Sequence, residues 1–277
     1  MNGEQLKSAM RAGNRLYGTM LVTARTGRWD HTIGVVGFDF IVVDNAHAPY
    51  SRAETADWMA KLSEMDIVPF IRIADSQPYY AQMALDAGAH GVVAPYMETV
   101  AQVQEMVGAV KYRPLQGDML QRVVREGWFP SEETRKYLEH LNRNTILAIS
   151  LDSVAGLDRV DELVAVQGVD LVLVASHNLS IQLGIPNRYD HPDFTAAVKR
   201  IAAACQAAGV PLMVHLFNHD MAVHWLKAGL QVVLFGTDRR ALSEGFIADF
   251  EFLRNVDQVP ARAKLRLVHR EDQSPDR

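Results

Sequence analysis

The stretch GFDFIVVD, residues 37–44, decides the fold of this 277-residue chain. A glycine precedes an apolar run, and the run stops at the carboxylate of Asp44. Glycine readily takes the left-handed conformation that ends a helix, and a continuous apolar run is typical of a parallel strand buried on both faces. The same order recurs at residues 88–95, 168–176, 209–215 and 229–237. This repetition predicts an α/β protein with a (β/α)8 barrel, the TIM barrel.

The remaining chain can be assigned around this repeat. A short amphipathic helix over residues 4–12, with Leu6 and Met10 on one face, would plug the amino-terminal end of the barrel. We expect one barrel domain over residues 1–260, interrupted at about 112–144 by an excursion that is too long for a plain connection, and a polar tail over 261–277. The eight predicted strands cover residues 17–22, 38–43, 67–73, 91–94, 145–151, 169–175, 210–215 and 231–235.

Composition narrows the partners and the compartment. The formal net charge of −5 argues against nucleic acid as a ligand. No run of apolar residues reaches the length of a membrane span, so no membrane partner is expected. The single cysteine, Cys205, has no partner for a disulfide and lies in a helical, apolar run. We therefore expect a cytoplasmic protein that binds a small molecule.

Polar residues stand where the predicted strands end, which in such barrels is the catalytic end. An imidazole, a guanidinium and several oxygen ligands would meet there, a combination that suits enolisation or aldol cleavage of a 2-oxo acid. Hard oxygen ligands would favour Mg²⁺ or Mn²⁺ as the cofactor. These candidate residues are Asp44, His47, Arg72, Asp152, Asn178 and Asp238.

Six stretches, in this order and spacing, resemble the HpcH/HpaI aldolase family of class II 2-oxo acid aldolases, which are related to citrate lyase β subunits. They are GFDFIVVDNAHAP, VPFIRIAD, DAGAHGVVAP, ISLDS, VDLVLVASHNLS and FGTD. The resemblance extends from about residue 18 to residue 252. It implies a carbon–carbon lyase that stabilises an enolate of a pyruvate-like or oxaloacetate-like substrate with a divalent metal.

The resemblance also implies roles for individual residues. His47 matches the catalytic base, Asp44 an aspartate that orients the site, and Arg72 the arginine that holds the pyruvyl oxygen. Asp86 matches an aspartate that a neighbouring subunit presents to the substrate. The family exchanges its last helix between subunits, which here would be residues 238–255, and forms dimers that assemble into hexamers. A homo-oligomer is therefore expected.

The chain departs from the family at the metal ligands. The family has a glutamate after the fifth strand and an aspartate after the sixth, whereas this chain has Asp152 and Asn178. Loss of one anionic ligand should weaken Mg²⁺ binding. Ser176 and His177 lie beside Asn178 and are candidate substrate-binding residues, with His177 restoring some of the lost polarity.

Two alternatives remain open at this point. The chain could be a diverged relative that acts without a metal on another substrate, with His177 and Asp152 as a rebuilt acid/base pair. It could also be a catalytically silent barrel that serves as a binding or scaffold subunit. An arginine at the end of a buried strand beside an imidazole argues against the silent barrel.

Overall fold

In a computed structural model that describes residues 1–257, eight parallel strands close into a barrel in chain order, with β8 pairing again with β1. This confirms the predicted (β/α)8 architecture, and each strand overlaps its predicted range. The strands are β1 (Leu16–Leu21), β2 (Phe40–Asp44), β3 (Val68–Arg72), β4 (Gly91–Ala94), β5 (Ile146–Leu151), β6 (Leu171–Val174), β7 (Leu212–Leu216) and β8 (Val232–Thr237).

Helices connect successive strands. A 3₁₀ helix (Gly27–Trp29) and α2 follow β1, while α8 to α10 are short helices around β6. The described helices are α1 (Gly3–Arg11), α2 (Asp30–Gly34), α3 (Arg52–Glu64), α4 (Pro78–Asp86), α5 (Val100–Lys111), α6 (Gly117–Glu126), α7 (Glu132–Leu141), α8 (Val154–Asp158), α9 (Val160–Val164), α10 (Ser176–Gln182), α11 (Pro192–Ala208), α12 (His219–Lys227) and α13 (Asp238–Asp257).

Local sequence signals explain where several helices begin. Ser51 and Glu54 form the expected capping box of α3, in which the Ser51 hydroxyl accepts the Glu54 amide and the Glu54 carboxylate accepts the Ser51 amide. Thr99 and Gln102 do the same for α5. Asn218 caps α12 by accepting the amide of Met221. These caps confirm three helix starts that the residue pattern predicts.

Two apolar layers surround the barrel wall because successive strand residues point to opposite faces. The outer layer packs between the strands and the helices. The inner layer fills the barrel and includes Phe40, Phe70 and Leu173. Leu6 and Met10 of α1 belong to this inner cluster, while Lys7 of α1 donates to the carbonyl of Arg143, just before β5. The first helix therefore closes the amino-terminal end of the barrel, as predicted.

The excursion at 112–144 forms α6 and α7. It begins after α5, whose final residue Lys111 donates to the carbonyl of Thr145 at the start of β5. The excursion therefore enters from the amino-terminal ends of the strands, the side opposite the barrel mouth. A Cβ at Gly108 of α5 would meet Leu120 and Val124 of α6 at 3.1–3.2 Å, so α6 packs closely on α5.

The chain divides into two compact units, Met1–Asp238 and a second that begins at Arg239. The second unit is described up to residue 257, where α13 ends, and the predicted tail at 261–277 lies outside the described residues. Along α13, Phe246, Ile247, Phe250 and Leu253 are exposed at i, i+1, i+4 and i+7 spacing. Among the described helices, none combines the length and the apolar character needed to cross a bilayer.

Candidate active site at the barrel mouth

Four polar side chains face inward at the carboxyl-terminal mouth of the barrel. Phe40 and Val42 face inward on β2, as do Val68 and Phe70 on β3. Successive side chains of a strand point to opposite faces, so the residue two positions beyond the last of these also faces inward. The residues placed inward by this rule at the mouth are Asp44 after Val42, Arg72 after Phe70, Asp152 after Ala148 and Ser150, and His215 after Met213.

Asp44 and Arg72 form a two-pronged ion pair across neighbouring strands. Their Cα atoms are partners in the β2–β3 ladder. The Arg72 Nε donates to Asp44 Oδ1 at 2.8 Å, and Nη2 donates to Oδ2 at 2.6 Å. The Arg72 side chain keeps 12% of its exposure, while Asp44 is buried. Since a guanidinium carries five N–H donors and Asp44 uses two, three are left for other partners.

The electrostatics of Asp44 follow from this pairing. Burial alone would raise the pKa of the Asp44 carboxyl, but hydrogen bonds and positive charge from Arg72 outweigh burial and hold the pKa below its usual value. The amides of Ala46 and His47 also donate to Asp44 Oδ1, at 2.9 and 3.3 Å. Asp44 therefore stays ionised and fixes both the guanidinium and the start of the loop that carries His47.

His47 lies in the turn that follows β2, and its imidazole is exposed. The loop is anchored beneath it, because Ala48 is buried and the Tyr50 hydroxyl donates to the carbonyl of Ala24 at 2.8 Å. His47 is thus held by the same carboxylate that orients Arg72. A solvent-accessible imidazole beside a fixed guanidinium is an arrangement in which a base can reach a bound substrate.

On the other side of the mouth, the two residues predicted as metal ligands meet directly. Asn178 Nδ2 donates to Asp152 Oδ1 at 3.2 Å and to the hydroxyl of Tyr96 at 3.0 Å. The backbone amide of Tyr96 donates to Asp152 Oδ2 at 2.9 Å. Residues from the ends of β4, β5 and β6 therefore form one hydrogen-bonded cluster, which we name the Tyr96 cluster: Tyr96, Asp152 and Asn178.

The backbone of Tyr96 is in an unusual conformation. Its φ of +52° places it in the left-handed region, which is rare for a residue with a large side chain. Such a conformation costs roughly 1–3 kcal/mol and persists where surrounding contacts enforce it. Here the enforcing contact is the bond from the Tyr96 amide to the buried Asp152 carboxylate.

The two other residues predicted after β6 have different surroundings. Ser176 is fully buried, and its hydroxyl has no protein hydrogen-bond partner within residues 1–257. The His177 ring Nδ1 lies 2.9 Å from Asn187 Oδ1, which also accepts the Tyr189 hydroxyl. His177 is partly exposed, whereas Ser176 lies beneath the surface. Their roles in substrate binding stay predictions.

Asp86 does not join the other site residues within this chain. It ends α4, is exposed, and pairs with Arg113, which follows α5 on the amino-terminal side of the barrel. Asp86 also lines a cavity of about 430 Å³ at the outer wall, together with Asn45, Arg52 and Tyr80. This position is compatible with the expectation that Asp86 serves a neighbouring subunit's site, which stays a prediction.

His215 is a rim residue that the reading of strand ends missed. It is buried, its Nε2 lies 3.0 Å from the carbonyl oxygen of Gly236, and its ring packs on Phe217 at a centroid distance of 4.3 Å. Burial lowers the pKa of His215 to about 4, and Arg72, Asp44 and His177 all act on its charge. Since a carbonyl oxygen only accepts, the buried ring is a neutral imidazole that donates from Nε2 to Gly236.

The sequence carries a signal for His215 but none that turns the Tyr96 side chain toward the mouth. Tyr96 stands two residues after β4, and His215 continues the inward-facing positions of β7. The alternation of side chains along β7 predicts that His215 faces inward, whereas Val93 is the inward-facing residue of β4, so the same rule does not place Tyr96 in the mouth. Asp238 is also explained by the structure: its carboxylate accepts the amides of Val22, Thr23 and Ala24, so it anchors the loop after β1.

The Tyr96 cluster does not fit the divalent cation that the resemblance implies. Both Asp152 oxygens already accept N–H groups, and Asn178 presents its amide nitrogen, not its oxygen, to the carboxylate. One carboxylate supplies the only formal negative charge in the cluster. Across residues 1–257, moreover, no group of three or more His, Cys, Asp or Glu side chains is arranged to hold a metal ion. Mg²⁺ and Mn²⁺ prefer several oxygen ligands with more charge than this.

The fold and the polar mouth are those of a (β/α)8-barrel enzyme. Comparison with known proteins is consistent with this class. The family model described as HpcH/HpaI aldolase/citrate lyase matches residues 23–244. A hydroxypyruvate/pyruvate aldolase from Roseobacter denitrificans is 30% identical over 74% of this chain and 80% of its own length. The chain therefore belongs to the HpcH/HpaI aldolase/citrate lyase family.

Solved structures show the same fold. An HpcH/HpaI aldolase/citrate lyase family protein from Burkholderia cenocepacia is 25% identical with a TM-score of 0.78, over 91% of this chain and 99% of that one. A citrate lyase β subunit from M. tuberculosis, solved with oxaloacetate and magnesium, is 14% identical with a TM-score of 0.52, over 82% and 93% of the two chains. The second likeness concerns the fold alone.

Proposed function

We propose that this chain makes or breaks a carbon–carbon bond next to the carbonyl of a 2-oxo acid such as a pyruvate- or oxaloacetate-derived substrate. The observation that carries the proposal is the Asp44–Arg72 pair at the mouth, with the exposed His47 held by the same carboxylate. The activity of the Roseobacter relative on hydroxypyruvate and pyruvate supports a 2-oxo acid.

In the cleavage direction, His47 accepts the proton of the substrate hydroxyl on the carbon beyond the breaking bond. The electrons of that carbon–carbon bond move toward the 2-oxo carbonyl, which releases an aldehyde or ketone and leaves an enolate. The N–H groups of Arg72 that Asp44 does not use stabilise the enolate oxygen. The proton returns to the enolate carbon and restores the 2-oxo acid. Condensation follows the same steps in reverse.

Asp44 acts through its neighbours in this mechanism. Its ionised carboxylate holds the guanidinium in one orientation, so the donors aimed at the enolate are fixed before the substrate arrives. No step passes through a divalent cation, because the Asp152–Asn178 pair does not fit one. Cleavage and condensation use the same set of groups, and the substrate that is present decides in which direction the reaction runs.

The assembly is part of the proposal. The family resemblance implies exchange of the last helix between subunits, and the exposed apolar side chains of α13 support a homo-oligomer, dimeric or built from dimers. In such an assembly Asp86 of one subunit would reach the mouth of its neighbour. Cys205 is buried in α11, which accords with a reducing, cytoplasmic location.

Deuterium exchange into the methyl group of pyruvate tests the proton-transfer step. We expect the wild-type protein to exchange these hydrogens in D₂O, and His47→Ala to slow exchange by about 10²-fold or more, because general bases contribute about that much. The signal is the loss of the methyl resonance by proton NMR.

A histidine away from the mouth provides the matched control. His224 is an exposed histidine of α12, and His224→Ala should exchange at the wild-type rate. Exchange at the wild-type rate in His47→Ala would remove His47 as the base. Absence of exchange in the wild-type protein, with no cleavage of a 4-hydroxy-2-oxo acid, would remove the proposed function itself.

A further inference from the structure

Tyr96 carries a polar group into the mouth that the mechanism above does not use. Its side chain retains 44% exposure and stands at the end of β4, between the Arg72 side of the mouth and Asn178. We propose that the Tyr96 cluster is a cation-free oxygen-binding site, in which the Tyr96 hydroxyl donates a hydrogen bond to an oxygen of the substrate.

The direction of the hydrogen bonds identifies the outward donor. A carboxylate only accepts, so the Asn178 group facing Asp152 must be the amide nitrogen. The second hydrogen on that nitrogen is donated to the Tyr96 oxygen. The phenol oxygen therefore accepts from within the cluster, and its own proton has no protein acceptor in the described part of the chain. This proton is directed to whatever occupies the mouth.

The loop geometry fixes where the phenol stands. The left-handed φ of Tyr96 and the bond from its amide to Asp152 hold the main chain, and the bond from Asn178 holds the hydroxyl. Glycine would adopt this backbone without strain, but it would remove the hydroxyl. A strained tyrosine, fixed at both ends by the same two residues, is a preorganised donor.

The same bonds explain why a cation is not required. A cation between Asp152 and Asn178 would have to turn the amide around, which would break its bond to Asp152 and its bond to Tyr96. The cluster would then offer one carboxylate, one amide oxygen and one phenol. In the present arrangement, fixed hydrogen-bond donors take over the stabilisation of developing negative charge on the substrate.

The ligand class follows from the proposed function, on which this inference rests. The group facing Tyr96 would be a carbonyl, enolate or carboxylate oxygen of a 2-oxo acid. The phenol keeps its proton throughout, so it stabilises charge on the oxygen and transfers nothing. Arg72 and Tyr96 would then contact the substrate from the two sides of the mouth.

Tyr96→Phe tests the donor in metal-free buffer. In the presence of a strong chelator we expect wild-type protein to retain deuterium exchange into pyruvate, and Tyr96→Phe to lower kcat by about 10²-fold with a smaller change in KM, as for loss of one oxyanion donor. Tyr17→Phe, at the opposite end of the barrel on β1, is the matched control and should behave as wild type. Thermal unfolding of both variants checks that the fold is retained.

Two results would overturn the inference. The first is wild-type exchange that a chelator abolishes and added Mg²⁺ restores. The second is a Tyr96→Phe variant with the wild-type kcat. If wild-type protein shows no exchange with or without Mg²⁺, the proposed function fails instead, and binding alone then tests the Tyr96 donor. Oxalate, a mimic of the pyruvate enolate, should bind wild-type protein more tightly than Tyr96→Phe in buffer that contains the chelator. Equal affinities of the two proteins for oxalate count against the donor.

Cation binding supplies a readout independent of activity. Calorimetric titration with Mn²⁺ should give no measurable heat at millimolar ion with wild-type protein. Asn178→Asp restores a second carboxylate beside Asp152 and should bind Mn²⁺ measurably. Wild-type binding as tight as that of Asn178→Asp would contradict a cation-free cluster.

Discussion

At the scale of single residues, a neutral imidazole at the rim makes the folded protein sensitive to acid. His215 is buried, donates to a backbone carbonyl and has its pKa lowered to about 4. The unfolded chain would bind a proton near pH 6.5. Between pH 6.5 and pH 4 the unfolded state therefore binds more protons than the folded state, so stability falls as the pH falls through this window.

The difference between the folded and unfolded pKa of His215 predicts how stability changes with pH when a residue that does not titrate replaces it. A shift of this size corresponds to about 3 kcal/mol of stability lost between pH 6.5 and pH 4. His215→Gln retains a donor for Gly236 and does not titrate, so its free energy of unfolding should fall less over the same window. Urea denaturation at a series of pH values measures both proteins.

Other groups also respond to acid, so the comparison needs a control. Asp44 has a lowered pKa, and protonating it at low pH costs stability in every variant. His224→Gln, at an exposed position of α12, should follow the wild-type pH dependence. The prediction fails if His215→Gln loses stability as steeply as wild type between pH 6.5 and pH 4.

At the scale of elements, glycines on β1 and β4 make room for aromatic rings inside the barrel. A Cβ at Gly18 would lie 2.4 Å from Phe40, and one at Gly91 would lie 2.0 Å from Phe70. Each glycine is the ladder partner of the phenylalanine that covers it. The two rings pack on each other at a centroid distance of 5.6 Å, so neither can move aside.

Gly91→Ala should therefore destabilise the barrel. Overpacking a rigid core by one methyl group costs about 1–3 kcal/mol, and the change should lower the midpoint of urea unfolding. Phe70→Leu in the Gly91→Ala background should recover part of the loss, because the smaller side chain vacates the contested space. Gly245→Ala of α13 meets nothing within 4 Å and should leave stability unchanged or slightly raised.

A wild-type unfolding midpoint for Gly91→Ala would contradict the tight packing of the phenylalanine rings against the glycines inside the barrel. The double variant separates the steric cause from any backbone effect. If Phe70→Leu restores nothing, the loss arises from the strand itself and not from the ring.

At the scale of the whole molecule, the apolar side of α13 bears on assembly. Phe246 and Phe250 are 62% and 51% exposed, and Ile247 and Leu253 extend the same stripe. Contiguous exposed apolar surface of this kind commonly marks an interface. A second copy of the chain is the expected partner.

We predict that wild-type protein is a homo-oligomer and that Phe246→Glu with Phe250→Glu shifts it to monomer, because charges would be buried without partners at the interface. Light scattering after size-exclusion chromatography gives the mass directly. Val223→Glu, at an exposed position of α12, is the control and should keep the oligomer. A monomeric wild-type protein would contradict the assembly and the role of Asp86 in a neighbouring site.

Much of this architecture could be predicted from the sequence. Glycines that end helices, apolar runs and capping boxes are local signals, and they were sufficient for the eight strands, the plug helix and three helix starts. The ion pair of Asp44 and Arg72 joins residues at the ends of consecutive strands, so barrel topology alone brings them to one rim. The 3₁₀ helix and α2 were not anticipated, because that segment carries no clear cap or periodicity.

The Tyr96 cluster and the surroundings of His215 depend on the tertiary structure. Asn178 and Tyr96 are 82 positions apart, and their contact depends on a left-handed backbone turn that no local pattern encodes. His215 acts at the mouth only because strand parity and the closed barrel turn it inward toward Arg72. Local sequence determined which elements form, whereas the direction of each side chain at the rim depends on how distant loops are held against one another.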